Sequence, residues 1–332
     1  MAEHDLQGGP VWVVGRAVVP GHFHAVGIGH LLGQDRLDRL SVAFLERTAA
    51  AGVDYSASIV TNGYLLTLEA AARLRELGVR SAQITLDGPP ETHDRMRPLV
   101  SGRPTFDVIL ENIERCADVL PIAVRVNLDT ANAAEAETLL DLLAERGLGG
   151  RITVYPSPIV ALDDGAGAPS ETYAPPCLTL PEFAVIERTF LARARRLGLA
   201  SAELPQPIGS PCTAVRANEL VVGARGELYK CVDSVGNQRE VIGHLRSWRD
   251  PNDRVLKWLR YDPFTDEGCR SCIALPTCMG GCAHHAMLDR TGDSKCSTFR
   301  TTYREQVEEY AAAAEAREAT GLRHALLPLT PV

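Results

Sequence analysis

A parallel α/β body, followed by a small cysteine-stapled unit and a terminal helix, is the fold this sequence predicts, on three observations. Helix-like and strand-like stretches alternate with short connections from about residue 34 to 200. Beyond Pro205 the chain turns to short strands, many turns and seven of its nine cysteines. From Thr301 to Ala316 it is rich in Ala and Glu, the composition of a helix that packs back on the body.

The elements follow in order. Asp35 to Ala51 places Leu37, Leu40, Phe44 and Leu45 close to helical spacing, and Ala57 to Val60 is a strand running into Thr61-Asn62-Gly63. Leu66 to Leu77 is helical, and Ser81 to Leu86 is a strand ending in Asp87-Gly88. Helices over Phe106 to Leu120 and Ala133 to Arg146 alternate with strands over Ile122 to Leu128 and Arg151 to Tyr155. Such units build a parallel sheet covered by helices, either a barrel or an open doubly wound sheet. Function on these sheets gathers at the C-terminal ends of strands, where Thr61-Asn62-Gly63, Asp87-Gly88 and Asn127 fall. Pro156 to Pro181, with Asp163-Asp164 and clustered Gly and Pro, is a loop and a candidate boundary, and Leu180 to Leu199 is one more helix. Short strands at Leu220 to Val222 and Leu228 to Cys231 open the cysteine-rich unit. The expected division is a body over 1–204, the cysteine-rich unit over 205–300, and a helix with its tail over 301–332.

The 332 residues are 45% hydrophobic and 23% charged, the balance of a globular chain able to bury a sizeable core. A formal charge of −8 speaks against a nucleic-acid or anionic-membrane surface, which needs clustered Lys and Arg. Neither a secretory signal nor a long apolar run is read, so the expected location is the cytoplasm, with no membrane as partner. In that reducing compartment regularly spaced cysteines point to metal or cluster ligation rather than disulfides.

Cys116 and Cys177 stand alone, whereas the other seven are patterned: Cys212-x13-Gly226-x4-Cys231, then Cys269-x2-Cys272-x5-Cys278-x3-Cys282, then Cys296. Thiolates this close in a turn-rich segment can converge on one centre, and Gly280-Gly281 suits the tight loop this needs. Zinc is the alternative, but zinc ribbons use four ligands and seven do not divide into complete zinc sites.

This pattern resembles the SPASM domain of radical S-adenosylmethionine peptide-modifying enzymes. Thr61-Asn62-Gly63, Leu86-Asp87-Gly88-Pro89 with His93-Asp94 and Arg97, Thr105-Phe106, and Arg125 with Asn127 resemble that family's strand ends in the same order. The similarity covers roughly residues 26 to 300. It implies a partial (βα) barrel of the radical SAM type before the SPASM domain and its C-terminal helix, and two auxiliary [4Fe–4S] clusters. Carried over by position, Cys269, Cys272, Cys278 and Cys296 would bind one cluster, and Cys212, Cys231 and Cys282 the other. The second would have a fourth iron open to substrate or an exogenous ligand, with the isolated Cys177 as a further candidate.

The resemblance breaks at the family's Cys-x3-Cys-x2-Cys motif, which holds the S-adenosylmethionine-cleaving cluster. No cysteine precedes Cys116, and the family's Gly-Gly-Glu-Pro segment reads Gly27-Ile28-Gly29-His30-Leu31-Leu32. S-adenosylmethionine is therefore not expected as a radical source, and the first strand and helix of the barrel are expected to be shortened or missing. An incorrectly assigned start is a further reading, against which the altered Gly27 to Leu32 segment argues. His22, His24 and His30 form a minority candidate for a divalent metal; otherwise they line a loop. His284-His285 offers ligands or hydrogen-bond donors to a cluster; otherwise the pair tunes the cluster environment or is merely exposed. Asp87, His93, Asp94 and Arg97 are candidates for substrate binding or proton transfer, with an Asp94–Arg97 ion pair that stabilises a loop as the favoured alternative. No phosphate-binding loop or dinucleotide fingerprint is present.

Two functional classes are expected. One is a biosynthetic enzyme of noncanonical SPASM type that uses an open cluster on a peptide or small-molecule substrate. The other is a non-catalytic scaffold with structural clusters, which binds a precursor peptide or docks to a partner biosynthetic enzyme.

Overall fold

The computed structural model describes residues 11–16, 22–28, 33–159, 177–201, 203–247, 252–287 and 295–320, the backbone alone at 11–16, 22, 28 and 317–320. Its centre is one mixed sheet of β1 (Val11–Arg16), β2 (His22–Ile28), β3 (Asp54–Thr61), β4 (Val79–Thr85), β5 (Ile122–Leu128), β6 (Ile152–Pro158), β7 (Glu219–Val222), β8 (Glu227–Tyr229) and β9 (Gly243–His244). The order across it is β6-β5-β4-β3-β2-β1-β7-β8-β9. β2 to β6 are parallel neighbours, linked by α1 (Gln34–Ala50), α2 (Leu68–Glu76), α3 (Pro90–Met96) with α4 (Phe106–Cys116), and α5 (Ala136–Glu145). This is the expected partial barrel.

Alternation makes the strands. In β5 Ile122, Val124, Val126 and Leu128 are buried, while Ala123, Arg125 and Asn127 between them are only half-buried. The buried row belongs to the main core, together with the α4 stripe Phe106, Ile109, Leu110, Ile113 and Cys116, at helical spacing. Thr67 caps α2 by accepting the Ala70 N–H, and a Thr179/Glu182 capping box starts α6 (Leu180–Arg196). The Thr61-Asn62-Gly63 end of β3 is held from α4, where Asn112 Nδ2 donates to the Gly63 and Tyr64 carbonyls at 3.0 Å.

The start of the chain departs from a parallel βα unit. β1 pairs antiparallel with β2 on one side and with β7 on the other. It thus stands where a first parallel strand would, and it fuses the barrel sheet to the strands of the cysteine-rich unit. The remaining helices are α7 (Asp253–Leu259), α8 (Glu267–Arg270), α9 (Leu275–Cys278), α10 (Ala283–Met287) and α11 (Phe299–Thr320). An Arg195–Glu309 ion pair ties α11 back to α6. Among the described residues no helix is long and apolar enough to cross a membrane.

Candidate metal centres

Cys269, Cys272, Cys278 and Cys296 line one cavity of about 120 Å³, together with Asp266, Lys295 and Arg300. One water needs only ~10–15 Å³ of such space, so the cavity suits a multi-atom group. Among the described residues no three His, Cys, Asp or Glu side chains close round a point as a single metal ion requires.

Local chemistry explains the convergence. Asp266 caps α8 by accepting the Cys269 N–H at 3.0 Å, and it pairs with Lys295, the residue before Cys296. After α9 the backbone runs left-handed through Met279, Gly280 and Gly281, with φ of 47°, 88° and 72°. That run reverses the chain between Cys278 and Cys282. A Cβ on Gly280 would stand 2.5 Å from Tyr261 Oη, and one on Gly281 would overlap the Lys295 carbonyl oxygen. The same carbonyl accepts the Cys282 N–H at 2.9 Å. Arg300 Nη1 lies 3.6 Å from Cys296 Sγ. Burial raises the Cys269 thiol pKa, and the Lys295 ammonium opposes it.

Cys212, Cys231 and Cys282 form a second group, close enough for their charges to act on one another. Burial, then the Asp233 carboxylate, pushes the Cys231 thiol up to about 12. Burial also raises Cys282, against backbone hydrogen bonds from His285 and His284 that lower it, because Cys282 immediately precedes α10. The two histidines thus serve Cys282 through their main chain, while the buried His284 ring stacks on Trp258 with centroids 6.1 Å apart. Lys230 is fully buried, and its ammonium donates to the Arg216 and Glu219 carbonyls at 2.5 and 2.6 Å. Burial lowers its pKa to about 8, while Glu219 and Cys212 favour the charged form. Sequence reading missed Lys230, Lys295, Arg300 and Asp233; their one available signal was position within four residues of a patterned cysteine. Of the remaining cysteines, Cys116 is buried and donates to the Leu66 carbonyl at 3.3 Å, and Cys177 lies just before α6.

At the barrel mouth the structure corrects one expectation. Asp94 and Arg97 do not pair. Asp94 Oδ1 accepts the Thr105 and Phe106 N–H groups at 2.7 and 2.9 Å, which starts α4, and Arg97 pairs with the fully buried Asp87. The reason is geometric: α3 turns Asp94 toward the N-terminus of α4, whose N–H groups lack intrahelical partners. Asp87 Oδ1 also accepts the Asn127 N–H at 3.1 Å, and Asn132 Nδ2 donates to the Asp87 carbonyl at 2.8 Å. His93 Nδ1 accepts the Asp87 N–H at 3.2 Å.

Burial lowers the His93 pKa to about 4, although Asp87 opposes this. The ordinary value is about 6.5, so as pH falls the unfolded chain takes up this proton before the folded one. Stability is then lost between pH 6.5 and 4, by about 3 kcal/mol in full. Urea unfolding of wild type and His93→Gln across that range checks this: the wild type should lose stability more steeply, and parallel curves would refute the assignment.

The sheet face away from the main core is polar. His24 lies between Ser56 Oγ at 2.8 Å and Ser58 Oγ at 3.3 Å. Arg125 donates to Asn127 Oδ1 at 2.8 Å and Ser157 Oγ at 2.7 Å, and the Tyr155 hydroxyl to Gln83 Oε1 at 2.6 Å. His22 falls on β2 two residues from His24, on the same strand face, but its side chain lies outside the described residues, as does the whole of His30.

A five-stranded parallel partial barrel with a cysteine-rich C-terminal region is a radical SAM-like α/β fold. Residues 20–143 match the family model described as Radical SAM superfamily. The Fe-coproporphyrin III synthase of Methanosarcina barkeri (strain Fusaro / DSM 804) is 31% identical over 100 residues, 30% of this chain. That match spans 24% of the synthase's own length. Among solved structures, native anSMEcpe with bound AdoMet superposes with a TM-score of 0.61 at 16% identity, covering 92% of this chain and 86% of that one. Streptococcus suis SuiB bound to precursor peptide SuiA gives 0.53 at 12% identity, covering 81% and 62%. At such identities the two share the fold.

Proposed function

We propose that this chain is an iron–sulfur protein of the radical SAM/SPASM maturase type that works without an S-adenosylmethionine-cleaving cluster. The observation that carries the reading is the four-cysteine cavity, with a separate three-cysteine group in the same unit. Cys269, Cys272, Cys278 and Cys296 would hold one [4Fe–4S] cluster, with Lys295 and Arg300 offsetting its negative charge. Cys212, Cys231 and Cys282 would hold the second, with Lys230 as the buried counter-charge. We place the cluster-bearing unit at residues 205–300, between a barrel over 1–204 and the terminal helix and tail over 301–332, and the protein in the cytoplasm.

No cysteine precedes Cys116 in the sequence, and that thiol is used inside the core. When bound, a three-cysteine cluster supplies an iron able to accept a substrate thiolate or amine. The chain's own residues do the rest. The polar sheet face with His24, Arg125, Asn127 and Tyr155 provides hydrogen-bonding groups for a polar ligand. A peptide substrate is supported by two neighbours in the fold, anSMEcpe with bound Kp18Cys peptide and SuiB bound to SuiA.

A second reading has its own observation. Asp87 and Asp94 are committed to structural hydrogen bonds, which leaves the mouth without these two as free acids or bases and favours a scaffold that binds a precursor peptide or a partner biosynthetic enzyme.

The test is anaerobic reconstitution, iron and sulfide counting, and incubation with S-adenosylmethionine and a strong reductant. About eight irons per chain and no 5′-deoxyadenosine are expected. Formation of 5′-deoxyadenosine would sink the claim. A candidate peptide that perturbs the electron paramagnetic resonance signal supports chemistry at an open iron; tight binding with no perturbation supports the scaffold.

A further inference from the structure

The fourth ligand of the three-cysteine group has a candidate in the chain itself. Asp233 lies two residues after Cys231, in the 3-10 turn Val232–Ser234, and the Cys231 thiol points at its Oδ2 from 3.9 Å. Its charge acts on Cys282 as well as on Cys231, so it stands near two of the three cysteines. A carboxylate among thiols disfavours the thiolates by like-charge repulsion, unless a cation is held between them. The neighbouring Ser234 is buried, and its hydroxyl has no hydrogen-bond partner among the described residues, so it remains free to serve a newcomer at this place. Asp233 itself is exposed.

We propose that Asp233 is the fourth protein ligand of the cluster held by Cys212, Cys231 and Cys282, an exchangeable carboxylate cap that an incoming thiolate or amine displaces. This rests on the reading that these three cysteines hold a cluster. Iron in such clusters is tetrahedral and prefers soft thiolate, and a hard carboxylate is the weaker partner. A carboxylate ligand open to solvent is therefore the one that exchanges. The cap keeps the iron from water and adventitious thiols until a substrate of sufficient affinity arrives, and its displacement lowers the apparent affinity of every exogenous ligand.

The experiment titrates 2-mercaptoethanol into the reconstituted, reduced full-length protein and follows the electron paramagnetic resonance signal, with iron and sulfide counted on each sample. Asp233→Ala is expected to keep its iron and bind the thiol at least about tenfold more tightly than wild type, a gap of 1.4 kcal/mol. Asp233→Cys is expected to abolish the thiol response, because the new thiolate occupies the fourth iron. Equal thiol affinity in wild type and Asp233→Ala, or a thiol response surviving in Asp233→Cys, would overturn the proposal. Cys212→Ala separates the two levels of the argument. If it leaves the iron count unchanged, the three-cysteine cluster is wrong; if it removes about four irons while the Asp233 variants behave as wild type, only the cap is wrong.

Discussion

Gly281→Ala should cost this protein both of its proposed clusters. The position has a φ of 72°, where an alanine alone costs about 1–2 kcal/mol, and its Cβ would overlap the Lys295 carbonyl oxygen. Backbone must then move, and it moves on both sides. On one side is Cys282, whose N–H loses its bond to that carbonyl, at a further cost of about 1–3 kcal/mol. On the other is Lys295, which adjoins Cys296 and pairs with the Asp266 that caps Cys269. One methyl therefore disturbs a ligand of each group. The expected loss is about 2–5 kcal/mol by these two terms together, with iron after reconstitution falling below half of the wild-type value. Gly102→Ala is the control: its φ is 79°, but the space around it is open. Thermal unfolding and iron counting compare the two, and a Gly281→Ala protein that matches Gly102→Ala in both would refute the argument.

Asp87→Ala is expected to destabilise the barrel by about 1–3 kcal/mol, the cost of leaving a buried donor without its acceptor, because the Arg97 left behind is 43% exposed and regains water. The side chain is fully buried, pairs with Arg97 and accepts the Asn127 N–H, so it joins the end of β4 to β5 and to the segment after α3. Its removal leaves the Asn127 N–H without that acceptor. Asp87→Asn keeps an acceptor and should lose less. Denaturant unfolding measures both. A change under about 1 kcal/mol, coupled with weakened binding of a peptide ligand, would instead make Asp87 a binding residue.

These two results mark where sequence reading stopped. The parallel βα run was legible because its signals are local: alternation in Ile122–Leu128 matches the observed strand residue for residue, and the α4 stripe is set by helical spacing. The short strands and the cysteine unit were visible for the same reason. β1 and β2 were not read as strands. Pro20-Gly21 between them is a turn signal, but their apolar runs carry no clear periodicity, and what makes them strands is pairing with β3 and with the distant β7. At the mouth, composition named Asp87, His93, Asp94 and Arg97 but not their partners. Spacing alone made Asp94 and Arg97 neighbours, whereas the turn between α3 and α4 assigned them to different acceptors and donors.

By itself the sequence determined that seven thiols recur at cluster-like spacing behind a parallel α/β body, because ligand spacing and hydrophobic period are properties of the chain. The resemblance already divided the seven into four and three; only the tertiary structure decided which cations face them and that Asp233 stands beside the three. Those contacts join residues brought together by turns and by packing across the sheet, and no local period encodes them.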